Sequence, residues 1–74
     1  MIKELDPVVL TKKLPEHGLQ AGDLGCVVMI HDLGAGYEVE FVTLTGETVA
    51  VVTVPAEAVR PVRASEIAHA RRVA

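Results

Sequence analysis

A chain of 74 residues has room for one core, and a domain this small buries only about 60% of the surface its unfolded form exposes. Cys26 is its one cysteine, so no internal disulfide can close, and added stability has to come from packing or association. The net charge of −3 conceals three lysines against nine acids in residues 1–59, net −6, and four arginines against Glu66 in residues 60–74, net +3; four arginines are too few for a nucleic-acid tail.

Half of the residues are apolar but only Tyr37 and Phe41 are aromatic, and a valine-dominated core favours strand over helix. The opening MIKELDPVVL lacks a signal-peptide run, and no stretch approaches the roughly 20 apolar residues of a spanning helix. A cytoplasmic protein with no membrane segment is expected. Residues 6–11, DPVVLT, read as a first strand, with Pro7 confining it to an edge or a strand start. Residues 12–23 combine Pro15, Gly18 and Gly22 with polar residues, which is loop chemistry. Strand two is LGCVVMIHD, residues 24–32, with Cys26, Val28 and Ile30 on one face and Val27 and Met29 on the other. Gly34 and Gly36 in LGAG suit a tight hairpin. Strand three, YEVEFVT at 37–43, sets Tyr37, Val39 and Phe41 against Glu38 and Glu40. A second hairpin turns at Gly46 into strand four, ETVAVVTV at 47–54, which Pro55 stops. AEAV at 56–59 suits one helical turn, VRPVR at 59–63 a last short strand, and ASEIAHARRVA a short helix capped by Ser65.

These elements predict an all-β fold, a small SH3-like five-stranded barrel over residues 1–63, followed by a C-terminal helical or frayed tail at 64–74. Strand four poses a packing problem. Val49 and Val51 lie on one face and Ala50, Val52 and Val54 on the other, so both sides favour leaving water. A lone barrel covers one side. The uncovered remainder, with Val27, Met29, Ala50, Val52, Val54 and Ile67 as candidate interface residues, is expected to lie against the tail or a second molecule.

The order of features also resembles a bacterial family of small proteins catalogued only as a domain of unknown function. That pattern runs from a strand and a Gly-containing loop to a G-D-x-G turn, a valine-rich strand, an aromatic-x-V-E-F strand and a G-E-T hairpin. The positions here are Gly22, Asp23 and Gly25, then Tyr37, Val39, Glu40 and Phe41, then Gly46, Glu47 and Thr48. The resemblance covers about residues 2–63, leaves out the tail, and implies an SH3-like barrel with no catalytic residues to carry over. A weaker similarity to KOW-type and Tudor-like barrels rests on Gly22, Asp23 and Gly25.

Chemistry-bearing residues are few, and each has a bland reading. Asp23 between Gly22 and Gly25 shapes a turn by accepting backbone N–H bonds, as Gly34, Gly36 and Gly46 shape others; the spacing is not that of a phosphate loop. Cys26 and His31 differ by an odd number and so face opposite ways on an unbroken strand, which argues against a nucleophile with its base, and His17 is the other conceivable partner. Glu38 and Glu40 share a face about 7 Å apart, as a wet strand face requires. His17, His31 and His69 fit no local metal motif. Arg60, Arg63, Arg71 and Arg72 lack the exposed aromatics that single-strand binding uses. The expectation is a non-enzymatic interaction module without cofactor or metal, a homo-oligomer or a protein partner's binding surface. Its alternative is an antitoxin-like or regulatory partner of a neighbouring gene product, using the acidic segment; nucleic-acid binding is disfavoured.

Overall fold

The computed structural model describes residues 1–73. Five strands form in the expected order: β1 Pro7–Leu10, β2 Leu24–His31, β3 Gly36–Val42, β4 Thr48–Pro55 and β5 Val59–Pro61. They make one sheet in the spatial order β4-β3-β2-β1-β5, with every neighbouring pair antiparallel. Short 3-10 turns occupy Pro15–His17 and Ala56–Ala58, and Asp32–Gly34 makes a turn of positive φ. The sheet is not closed: β4 and β5 are its two edges and do not pair with each other.

The core lies on one face of this sheet. Its fully buried side chains are Val8 and Leu10 of β1, Val27 of β2, and Val39 and Phe41 of β3, with Val54, Ala58 and Val59 closing it from the C-terminal half. β3 obeys strict alternation, since Tyr37, Val39 and Phe41 are buried while Glu38 and Glu40 between them are half-buried. Strands two and four do not. Val27 pairs with Val39 and Met29 with Glu38, so Val28 is an extra residue bulged out of β2. Beyond the bulge the parity flips: Ile30, opposite Tyr37, packs on the core, and Met29 faces out.

β4 repeats the device. Phe41 pairs with Ala50 and Val42 with Thr48, so Val49 is the extra residue there. Val49, Ala50 and Val52 all pack against the core, and Val54 belongs to it. One bulge thus lets valines of both parities reach a single inner face, and Val51 is the β4 valine left 49% exposed. This corrects the expectation for Val27 and Val54, which are 0% and 2% exposed and therefore packed inside the molecule rather than offered to a partner.

Two glycines expected in turns have another task. Gly25 sits in β2 under the aromatic ring of β3: a Cβ there would lie 2.5 Å from Val39 Cγ1 and 2.8 Å from Phe41 Cε1. Gly36 begins β3, where a Cβ would approach the Val54 carbonyl oxygen at 3.1 Å. The β2–β3 connection instead turns through Asp32, Leu33 and Gly34, with φ of 50°, 59° and 103°. Leu33 is fully exposed, so nothing in its packing offsets the left-handed backbone.

No helix forms in the described part of the tail, against the expected C-terminal helix. Residues 64–65 make a turn, closed by Glu66 N–H donating to the Arg63 carbonyl at 3.2 Å, and the chain then runs irregularly to residue 73. A helix of about nine residues has too few internal hydrogen bonds to offset its nucleation. Here Glu66 and Arg71 are instead drawn to partners in the sheet domain.

Gly25→Ala is expected to lower unfolding free energy by about 1–3 kcal/mol through overpacking of Phe41 and Val39, read from urea denaturation; an unchanged midpoint would refute the close approach. Leu33→Gly should raise stability by about 0.5–1 kcal/mol, because relief of left-handed strain exceeds the added freedom of the unfolded chain.

Candidate functional site

The outer face of β2, β3 and β4 carries the chemistry-bearing residues singled out from the sequence. Across the sheet, Cys26, Glu40 and Val51 form one row and Met29, Glu38 and Thr53 the next. The β2 bulge brings His31 onto this same face, so the parity argument that separated it from Cys26 fails. Distance separates them instead, at about 13 Å by strand rise. Each carboxylate has its own neighbour: Thr48 Oγ1 donates to Glu40 Oε2 at 2.7 Å, and His31 Nε2 lies 3.5 Å from Glu38 Oε1. Cys26 Sγ has only the Val27 carbonyl oxygen, at 3.9 Å. The face therefore offers no nucleophile with its base. Among the described residues, no group of three or more His, Cys, Asp or Glu side chains is placed to hold a metal ion.

The tail builds a second feature that the sequence did not disclose. Arg60 of β5 forks onto Glu66, Nη1 to Oε1 at 2.9 Å and Nη2 to Oε2 at 2.6 Å, while the Arg63 backbone N–H donates to the same carboxylate at 2.7 Å. Further along, Arg71 reaches back across the molecule to Asp23. Its Nε donates to Oδ1 at 2.8 Å and its Nη2 to Oδ2 at 2.6 Å, with a second bond from Nη2 to the Gly18 carbonyl at 3.0 Å. Asp23 also accepts the Gln20 backbone N–H at 2.8 Å, which fixes the turn expected of it. Gly18 and Gly22, at φ of 69° and 97°, shape the loop that presents both acceptors. The loop was legible in the glycine spacing; its arginine partner, 48 residues away, was not.

Electrostatics follows these bonds. The Arg71 guanidinium holds the Asp23 carboxyl below its ordinary 3.8, and the Gln20 N–H acts in the same direction against partial burial. The Arg60 fork and the Arg63 N–H pull Glu66 from 4.5 down to about 2. Arg60 and Arg71, two of the four arginines, are thus paired with carboxylates of the same chain. Ile67, between the two clasps, is 93% exposed and lies against neither face of the sheet.

A cleft of about 1030 Å³ runs between the last residues of the tail and the β3–β4 turn. Beside it lies the β4 edge. Among the described residues, Thr48–Pro55 pairs its backbone with β3 alone, and this stretch of eight contains no charged side chain.

An open, five-stranded antiparallel sheet with one aliphatic core and an uncharged edge strand defines a small all-β domain. The chain belongs to the family described as Domain of unknown function (DUF4926), whose model matches residues 4–61. The match takes in all five strands and stops before the tail. No curated protein and no solved structure matches the chain. No helix among the described residues is long and apolar enough to cross a membrane.

Because the folded values of Asp23 and Glu66 are depressed, the Glu66 clasp contributes above its ordinary 4.5 and is lost as pH falls toward about 2, while the Asp23 clasp contributes above its ordinary 3.8 and is lost as pH falls below that value. Carboxyl NMR titration should place Glu66 near 2 in the native chain and move it back toward 4.5 in Arg60→Ala. A Glu66 titration unmoved by that substitution would remove the fork as the cause.

Proposed function

We propose that this domain is a non-catalytic interaction module that self-associates by pairing the free edge of β4 with β4 of a second copy. The observation that carries the reading is the edge itself: no charge on eight residues and no backbone partner on its outer side. Natural edge strands are usually blunted by lysine, proline or bulges. Here the bulge at Val49 and Pro55 bound a clear run of Ala50–Val54 between them. Antiparallel self-pairing about Val52 sets Ala50 against Val54 and Val51 against Thr53, with no like charges opposed. The half-buried Ala50 and Val52 gain cover on the inner side; on the outer side Val51 does, and Met29 lies two strands away on the same face.

The strand order β4-β3-β2-β1-β5, curled around one core, supports an SH3-like reading of the fold. Its open side is where β4 and β5 fail to meet. Cys26, single and half-buried, fits a reducing cytoplasm.

A five-residue pairing makes about four to six backbone hydrogen bonds at about 1 kcal/mol net each; with the apolar cover of Ala50, Val51 and Val52 offsetting the lost translational and rotational freedom, the dissociation constant falls between about 1 mM and tens of micromolar. Light scattering from about 50 μM to 1 mM should therefore show a mass rising from 7.9 kDa toward twice that value. Val51→Lys with Thr53→Lys, which sets lysines opposite lysines across the pairing but beside Glu40 and Glu38 within the chain, should hold the protein monomeric with its fold intact. A native chain that stays at 7.9 kDa throughout sinks the proposal.

A further inference from the structure

We infer that the loop carrying Gly18 and Asp23, with the cleft beside it, is a docking site for an extended, arginine-bearing segment of a protein partner, and that the chain's own tail occupies only its guanidinium seat. The surface is distinct from the β4 edge apart from the strand's first residues, and the inference stands or falls separately from self-association.

The seat is formed by two acceptor groups in one short loop. Asp23 presents both carboxylate oxygens and Gly18 its carbonyl, and together they take three hydrogen bonds from the planar fork of Arg71. Lysine, with a single compact ammonium, cannot reproduce that geometry. The seat lies within the matched family domain at 4–61, whereas the arginine that fills it lies outside. Charge reinforces the division. The charged residues of the cleft that belong to the sheet domain are Asp23 and Glu47, both acidic, while the tail's are Arg71 and Arg72.

The tail fills this site poorly. Besides His69, Arg71 and Arg72 it presents Ala68, Ala70 and Val73 to the cleft, and of the other residues lining it Leu44 stays 92% exposed and Val42 49% exposed. No backbone hydrogen bond joins residues 62–73 to the sheet domain. The tail is therefore held by side-chain ion pairs near the surface, a weak attachment that a competitor can replace. A segment combining the arginine fork with leucine-sized side chains at the two alanine positions would keep the three hydrogen bonds and bury apolar surface that the tail leaves in water.

The test uses the full-length Arg71→Ala protein, isotopically labelled and followed by amide chemical shifts, titrated with synthetic peptides. The first probe is the tail sequence ASEIAHARRV, residues 64–73; the second is the same peptide carrying A68L and A70L. The tail peptide is expected to shift the amides of Gly18, Asp23 and Val49 at millimolar concentration, and the leucine peptide to bind about tenfold more tightly. Replacing the peptide's Arg71 by lysine, or Asp23 of the protein by asparagine, should weaken either peptide by about tenfold or more. The native protein should bind each peptide more weakly than Arg71→Ala, since its own arginine competes. Equal binding to the Asp23→Asn protein, shifts confined to other surfaces, or no gain from the leucines would overturn the inference. If Arg71→Ala loses its dispersed spectrum, Arg71→Lys serves as receptor under the same outcomes.

Discussion

A single small sheet has one inner face, and strict alternation sends only every second residue of a strand to it. That constraint governs this molecule, because β2 and β4 are apolar at both parities. The fold meets it by breaking alternation at Val28 and Val49. Each bulge adds a residue to one strand, twists it, and changes which side chains point inward. Ile30 thereby joins Val27 in facing the core, and Val49 joins Ala50, Val52 and Val54. The bulges do not add inward positions; they change which residues of β2 and β4 occupy them.

The same bulges determine what stays outside. The outer face is a thin mixture of Cys26, Met29, Val51 and Thr53 around Glu38 and Glu40, and each glutamate is matched by a separate neighbour. Groups disposed in this way solvate the outer face of a sheet. Further apolar surface lies at the margins, along β4 and in the cleft by the β3–β4 turn. Margins of a sheet carry unspent backbone donors and acceptors, so recognition there draws on the main chain as well as the side chains.

The tail shows how two physical solutions compete for one short segment. Helix formation offers residues 64–73 a few internal hydrogen bonds after an unfavourable nucleus. Ion pairing to Arg60 and Asp23 offers bidentate contacts on groups that the sheet already positions. The second prevails, and the charge division between the two parts of the chain becomes an attachment rather than a free basic arm. Because both pairs sit near the surface, the attachment is a weak one.

What the sequence determined by itself is local: five strands within a residue or two of their observed limits, the alternation of β3, the hairpin at Gly46 and the Asp23 turn, each encoded by neighbours close in the chain. The family membership was likewise readable in the spacing of Gly22, Asp23 and Gly25 with the Tyr37–Phe41 strand. Only the tertiary structure decided which valines are core, since a bulge forms when a strand is paired and its partner enforces a register. Only it showed Gly25 to be a packing residue, for that depends on Phe41 lying across it, and only it set Arg71 on Asp23. Contacts between residues far apart in the chain are specified by the geometry of the whole sheet, and no pattern confined to a short window of sequence carries that geometry.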